Sequence, residues 1–119
     1  MDDLDDLGGR IERFAAARDW ERFHTPRNLA LALTGEVGEL VTELQWTGDA
    51  EIAAGIGDEL RARLADEVAD VLIYLVWFGQ VCGIDPVAEA HAKVTRNESR
   101  HPVELSRSSS AKYTELGRP

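Results

Sequence analysis

Two segments of the sequence carry paired acids at the same spacing. Glu36 and Glu39 lie three positions apart in GEVGEL, and Glu67 and Asp70 lie three positions apart in DEVADVLIYL. Residues three apart share one face of an α-helix, so each segment presents two carboxyl groups one turn apart. Two such helices packed side by side would gather four carboxylates. Oxygen ligands of this kind suit a hard divalent cation, Mg²⁺ or Mn²⁺ in its place, which also binds phosphate oxygens.

The apolar pattern around these acids predicts that they face the interior of the protein. Glu36 lies at the edge of an apolar stripe on the first segment, with Glu39 slightly outside it. Glu67 projects into the middle of a stripe on the second segment, flanked by Asp70 and Tyr74. One Glu-x-x-Glu alone usually belongs to a solvated face, but a carboxylate among apolar side chains must be paired or coordinated. The two facing pairs therefore favour a cation site.

The elements that must position the acids are predicted from capping signals. Thr25-Pro26 starts a helix that runs to about Trp46, and a second long helix covers residues 59–81. Asp85-Pro86 starts a further helix to about Arg100, and residues 4–18 are also predicted to be helical. No segment has the alternation of a strand. The sequence predicts an all-α four-helix bundle in one domain over residues 1–102, followed by a polar, Ser-rich tail over residues 103–119.

Composition narrows the class of function. The chain has 119 residues and a formal net charge of -9, which argues against nucleic-acid binding, since that needs clustered Lys and Arg. The single cysteine, Cys82, excludes a disulfide framework and indicates a reducing compartment. The acidic N-terminus lacks the order of a signal peptide, and the apolar run over residues 71–81 is too short to cross a membrane. We therefore expect a cytoplasmic protein with no membrane partner.

Several other residue types are common in binding sites but carry little weight alone. Trp20, Trp46, Trp77 and Tyr74 are by default core aromatics, although Trp20 and Trp46 lie near helix ends, where a base could stack on them. His24 precedes a helix, where a histidine is more often a surface residue; we retain it as a candidate substrate-binding residue.

The combined segments resemble a known family. GEVGEL…QW followed by DEVADVLIYL is similar to the all-α nucleoside triphosphate pyrophosphohydrolases of the MazG-like superfamily. The longer runs FAAARDWERFHTPRNLALALTGEVGELVTELQW and RSSSAKYTEL, with K-x-x-x-N-x-x-R-x-P over residues 93–102, resemble the dCTP pyrophosphatase group in particular. This resemblance covers residues 11–117, nearly the whole chain.

The resemblance implies hydrolysis of a deoxynucleoside triphosphate between its α and β phosphates, giving the monophosphate and pyrophosphate. It implies that Glu36, Glu39, Glu67 and Asp70 bind Mg²⁺, which would neutralise the triphosphate and activate water. One acid, or hydroxide on the metal, would be the base, and Glu36 or Glu39 is our hypothesis for that catalytic role.

The resemblance also assigns substrate contacts and an assembly. Trp20, Trp46, Tyr74 and Asn97 match positions of the family's base and sugar pocket. Lys93 and Arg100 match its phosphate contacts. Members of the family form dimers that pair into tetramers with shared sites, so a homotetramer is expected.

This chain departs from the family at positions that affect selectivity. Animal members have a histidine three residues before the phenylalanine that matches Phe14, whereas this chain has Ile11. One polar contact to the base is therefore expected to be missing. The basic N-R-R-R-Y-P of the family is here NESRHP, and the loop after Trp46 is shorter.

Three hypotheses follow in order. The first is a Mg²⁺-dependent pyrophosphohydrolase that prefers dCTP or a modified cytosine nucleotide and acts in nucleotide pool sanitation. The second is the same chemistry on a different or broader set of nucleotides. The third is a non-catalytic helical bundle that binds a nucleotide or a protein partner.

Overall fold

The computed structural model describes residues 3–103, and within that range every regular element is a helix. The predicted all-α fold is confirmed. A single 3-10 turn, Glu21–Phe23, lies between the first two of five α-helices. The helices are α1 (Asp3–Ala17), α2 (Pro26–Leu44), α3 (Asp49–Ala54), α4 (Asp58–Cys82) and α5 (Pro86–Arg100).

Side-chain caps fix the starts of α2 and α5 where the sequence signals placed them. The Thr25 hydroxyl accepts a hydrogen bond from the backbone N–H of Asn28 at 3.2 Å. The Asp85 carboxylate accepts bonds from the N–H groups of Val87 and Ala88, each at 3.1 Å. These bonds satisfy backbone donors that have no partner within the helix, and the proline that follows each cap has no N–H to satisfy.

Two features lie around α4. Its C-terminal end is set by Gly83, whose φ of 68° lies in the left-handed region that favours glycine. Before it, α3 is a short helix that the capping signals did not predict, since at six residues it has no room for an apolar period.

The described residues divide into two compact units, one up to Ile84 and one from Asp85 onwards. The first contains α1 to α4, and the second contains α5. The single domain over residues 1–102 stays a prediction, and all but the first residue of the predicted tail lies outside the described residues. No single helix within residues 3–103 is long and apolar enough to cross a membrane.

The core of the first unit lies where α1 and α2 meet α4. The buried apolar side chains are Ile11, Ala15, Leu29, Val76 and Trp77. A buried polar contact holds α1 against α4, because the Gln80 amide donates to the Gly8 carbonyl oxygen at 2.9 Å. A Cβ at Gly8 would lie 3.0 Å from that same amide nitrogen, so glycine allows the close approach. The α2–α4 pair, which carries the paired acids, is the most extensive helix contact in the described chain.

We expect Leu29→Ala to be strongly destabilising, because Leu29 is 0 % exposed and its truncation removes apolar contacts from the core. The loss should be about 2–5 kcal/mol in the free energy of unfolding, measured by urea denaturation followed by circular dichroism. Val94→Ala, which truncates an exposed side chain on α5, is the control and should cost under about 0.5 kcal/mol. Equal losses in the two variants would contradict this location of the core.

Candidate functional site

Acidic side chains from α2 and α4 converge between the two helices. Glu36, Glu67 and Asp70 each place a carboxylate oxygen so that the three oxygens lie within 4.8 Å of one another. All three side chains are half-buried. Glu39 is exposed and lies outside this three-oxygen set, although it is close enough to hydrogen-bond with both Glu36 and Glu67. The facing arrangement that helical spacing predicted is therefore present.

The cluster concentrates negative charge without a compensating cation among the described residues. One buried oxygen of Glu36 and one of Glu67 have no hydrogen-bond partner there. Burial raises the pKa of Glu67 to about 7, with further contributions from its hydrogen bond to Glu39 and the negative charges of Glu39, Glu36 and Asp66. Burial, followed by the same neighbour Glu39, also raises the pKa of Glu36. The ionised forms of both groups are therefore less favourable than those of exposed carboxylates, and a bound cation would relieve this cost.

The donor set fits a hard divalent cation. All of the donors are carboxylate oxygens, and two of them are buried without partners. Mg²⁺ and Mn²⁺ prefer such ligands and retain positions for water and phosphate oxygens. On α2, a Cβ at Gly35 or Gly38 would meet no atom within 4 Å, so the described chain leaves open space at these two positions.

A group of aromatic rings follows the acids along α4. Tyr74, one turn beyond Asp70, stacks on Trp77 with 6.2 Å between ring centroids. The His24 ring lies 3.9 Å from that of Trp77, and Trp20 lies 6.3 Å from His24. The structure thus brings together Trp20, His24 and Tyr74, three of the predicted substrate-binding residues.

Trp77 links these three residues, and sequence reasoning treated it only as a core aromatic. Its side chain is 7 % exposed and contacts both His24 and Tyr74. The signal that could have identified it is its position seven residues after Asp70, which places the two side chains on the same side of α4.

An apolar pocket of about 310 Å³ lies between α1 and α4. It is lined by Leu7, Arg10, Ile11, Phe14, Ile73 and Trp77. Ile11, the departure noted in the sequence, is a buried part of this wall. The pocket is therefore lined in part by core residues, and it lies along the side of α4 that carries the acids and the aromatic rings.

The remaining predicted residues are not brought to the acids by the first unit. Trp46, just beyond the end of α2, is 87 % exposed. Lys93, Asn97 and Arg100 are exposed on α5, in the second unit. The predicted roles of these four residues in substrate binding stay predictions, as do the metal-binding and substrate-binding roles predicted for the residues that the structure does bring together.

Comparisons with known proteins agree with this geometry. Residues 32–116 match the MazG-like family. The chain is 48 % identical over 116 residues to dCTP pyrophosphatase 1 of Rattus norvegicus, covering 97 % of this chain and 68 % of the relative. It is 49 % identical over 114 residues to dCTP pyrophosphatase 1 of Homo sapiens, covering 95 % and 67 %.

A solved structure shares the fold. The crystal structure of a pyrophosphatase from Archaeoglobus fulgidus DSM 4304 superposes with a TM-score of 0.79 at 31 % identity, covering 86 % of this chain and 94 % of that one. The match to the family extends over most of the chain and includes the parts of α2 and α4 that carry the acids. This chain belongs to the MazG-like family.

Proposed function

We propose that this protein is a Mg²⁺-dependent deoxynucleoside triphosphate pyrophosphohydrolase that acts in nucleotide pool sanitation. The observation that carries the proposal is the cluster of Glu36, Glu67 and Asp70, with its two buried and unpartnered carboxylate oxygens. The relatives named dCTP pyrophosphatase 1 support the class of substrate. The reaction consumes one water and releases a nucleoside monophosphate and pyrophosphate.

Glu36, Glu67 and Asp70 would hold the ion, with Glu39 as the fourth acid beside them. When bound, Mg²⁺ would neutralise the triphosphate and make water more acidic, which favours attack at phosphorus. Because the net charge of the protein is -9, the acids alone would repel the substrate. A metal ion is therefore required because the acid cluster and the triphosphate are both negatively charged.

Of the two candidate bases, Glu36 and Glu39, the geometry favours Glu39. Its side chain is exposed and lies outside the three-oxygen set, so solvent water can reach it. The water oxygen bonds to the α-phosphorus as the bond from that phosphorus to the bridging oxygen breaks. Glu39 takes the proton from the water, and pyrophosphate leaves with the electrons of the broken bond.

The aromatic group beside the acids is the proposed contact surface for the nucleoside. Tyr74 and Trp77 follow Asp70 on α4, so a nucleotide with its phosphates at the acids would extend its base towards the rings. Trp20 and His24 continue this surface from the segment before α2. Trp46 and Asn97 are proposed to complete the pocket, and we assign the phosphate contacts to Lys93 and Arg100.

dCTP or a modified cytosine nucleotide is the proposed preferred substrate, on the strength of the named relatives. A broader range of nucleotides is the second candidate, because Ile11 is buried in the pocket wall and offers no hydrogen bond to a base. The two candidates share the same chemistry and differ only in base selectivity.

A homotetramer, built as a dimer of dimers in the cytoplasm, is the proposed assembly. Its support is the apolar surface that α2 and α4 leave exposed within one chain, beyond the area that α1 covers. Exposed large apolar side chains on two neighbouring helices are common at protein interfaces. The exposed residues of that surface are Leu31, Val41, Val68, Leu72 and Leu75.

The first test measures monophosphate and pyrophosphate release from each common dNTP and NTP. We expect release with Mg²⁺ and none with a chelator, because the triphosphate and the acids repel each other without the metal. Release of orthophosphate in place of pyrophosphate would place the cleavage at a different bond. No release from any nucleotide would favour the non-catalytic bundle.

Glu67→Gln is expected to remove turnover while preserving the fold. The amide fills the same volume but cannot supply the negative charge that binds the ion, so kcat/KM should fall on the order of 100-fold or more. Glu43→Gln is the matched control, since Glu43 is one turn beyond Glu39 on α2 and pairs with Arg63 at 2.8 Å instead. Its activity should stay within about twofold of the parent. Equal losses in both variants would contradict the assigned site.

The raised pKa of Glu67 predicts how stability depends on pH without metal. The pKa of its carboxyl group is about 7 in the folded protein and 4.5 in the unfolded chain, where the neighbouring acids are no longer close. Between those values the folded state holds a proton that the unfolded state has lost, so stability falls as pH rises through this window and then levels off. Mg²⁺ binds the ionised form and should restore the stability above pH 7.

Thermal melts from pH 5 to 8, with chelator and with Mg²⁺, measure this effect. The difference between the parent protein and Glu67→Gln isolates the contribution of Glu67, because the amide does not titrate. The parent should lose stability relative to the variant as the pH rises in chelator. A constant difference across the range would show that Glu67 has an ordinary pKa.

A further inference from the structure

A row of polar and aromatic side chains on α4 extends past the acids at the end away from the rings. Tyr74 and Trp77 follow Asp70 and share its side of the helix. Arg63 precedes Asp70 by seven residues, which is two turns, and therefore lies on the same side. It is one turn before Glu67, about 6 Å along the helix axis at 1.5 Å per residue. Along α4 the order is therefore a cation, two acids and two rings.

Arg63 is held in place by carboxylates of both helices. Its Nε donates to Glu43 of α2 at 2.8 Å, and its Nη1 lies 3.5 Å from Glu59 of α4. The second terminal nitrogen, Nη2, has no hydrogen bond or ion pair with any of residues 3–103. The side chain is 48 % exposed, so a ligand can reach it. Arg63 is therefore oriented by its neighbours while part of its donor fork stays open.

The ion pair and the acid cluster lie between the same two helices. Glu43 is two turns beyond Glu36 on α2, whereas Arg63 is one turn before Glu67 on α4. Since Glu36 and Glu67 meet in the cluster, both partners of the ion pair are displaced from it towards the same end of the two helices. Arg63 is therefore next to the acids in space as well as along α4.

The direction of a bound triphosphate follows from the proposed function, on which this inference rests. With the α-phosphate at the acids and the nucleoside at Tyr74 and Trp77, the β- and γ-phosphates extend from the α-phosphate away from the nucleoside. They then lie towards the start of α4, where Arg63 is. A guanidinium matches phosphate oxygens through parallel N–H donors, and such charged hydrogen bonds are roughly twice as strong as neutral ones.

We propose that Arg63 binds the β- and γ-phosphates of the substrate and then the pyrophosphate that leaves. Glu43 and Glu59 keep the guanidinium at the edge of the cluster, and its open N–H groups donate to phosphate oxygens. Negative charge grows on the leaving pyrophosphate as the bond to the α-phosphorus breaks. The contact with Arg63 is therefore stronger in the transition state than in the ground state, so it contributes to turnover as well as to binding.

The kinetic test compares Arg63→Gln with Arg61→Gln. Arg61 is the matched control because it lies nine residues before Asp70, on the opposite side of the same helix. With Mg²⁺, kcat/KM for dCTP should fall about tenfold or more in Arg63→Gln, and it should stay within about twofold of the parent in Arg61→Gln. Arg63→Lys should recover part of the loss, since it keeps the charge without the fork.

Product inhibition distinguishes a phosphate contact from a structural role. The inhibition constant of pyrophosphate should rise about tenfold in Arg63→Gln, because the lost donors contact that product. The constant for dCMP should change less than about twofold, since its phosphate occupies only the α-position at the acids. Equal changes for the two products, or no change for either, would overturn the assignment of Arg63.

The fold of the variants is checked in the same samples. Arg63→Gln removes a half-exposed ion pair, which contributes little to stability, so its thermal midpoint should stay within about 5 °C of the parent. In Glu43→Gln the amide oxygen can still accept the hydrogen bond from Arg63, so that variant keeps the guanidinium in place. A selective loss of pyrophosphate inhibition in folded Arg63→Gln therefore supports the contact itself.

Binding measurements separate this inference from the proposed function. The affinity of pyrophosphate in the presence of Mg²⁺ can be measured by calorimetry whether or not the protein turns over a nucleotide. Weaker binding in Arg63→Gln, with Arg61→Gln like the parent, supports the assignment even in a protein without turnover, which would refute only the proposed function. Turnover of dCTP with unchanged pyrophosphate affinity in Arg63→Gln would overturn the assignment and leave the proposed function intact.

Discussion

The packing of α2 against α4 brings like charges together. Glu36 and Glu67 lie in the same cluster, and each has one buried carboxylate oxygen without a hydrogen-bond partner among the described residues. This arrangement persists only because the apolar contacts of the core, centred on Leu29 and Trp77, outweigh it. The same pair of helices therefore supplies both the core packing and the acid cluster.

The order of residues along α4 matches the polarity of a nucleotide. Charged groups come first, at Glu67 and Asp70, then Tyr74 with its hydroxyl group, and then the buried ring of Trp77. A nucleotide has the same gradient, from phosphates through a sugar to a largely apolar base. One continuous helix can therefore position all three parts, and the C-terminal half of α4 that carries the rings also contributes Val76 and Trp77 to the core.

Helical periodicity was sufficient to predict the fold and the convergence of the acids. Caps at Thr25 and Asp85 set boundaries correctly because each side chain bonds to a neighbour in sequence, which is a local interaction. Periodicity could not rank burial, because the same apolar stripe contains the buried Leu29 and residues left exposed on α2. It also could not show that Trp77 contacts His24, since that contact joins segments distant in sequence and depends on how they pack.

The burial of Glu67 connects stability to the state of the site. Because burial raises its pKa, ionised Glu67 is unfavourable near neutral pH, and a proton or a cation can each relieve the cost. A proton and a metal ion therefore compete for the same oxygens, so acid should weaken metal binding before it disturbs the fold. A core designed only for stability would replace this carboxylate with an apolar side chain. Under the proposed function, its presence in the middle of the apolar stripe of α4 is explained by the cation that it would bind.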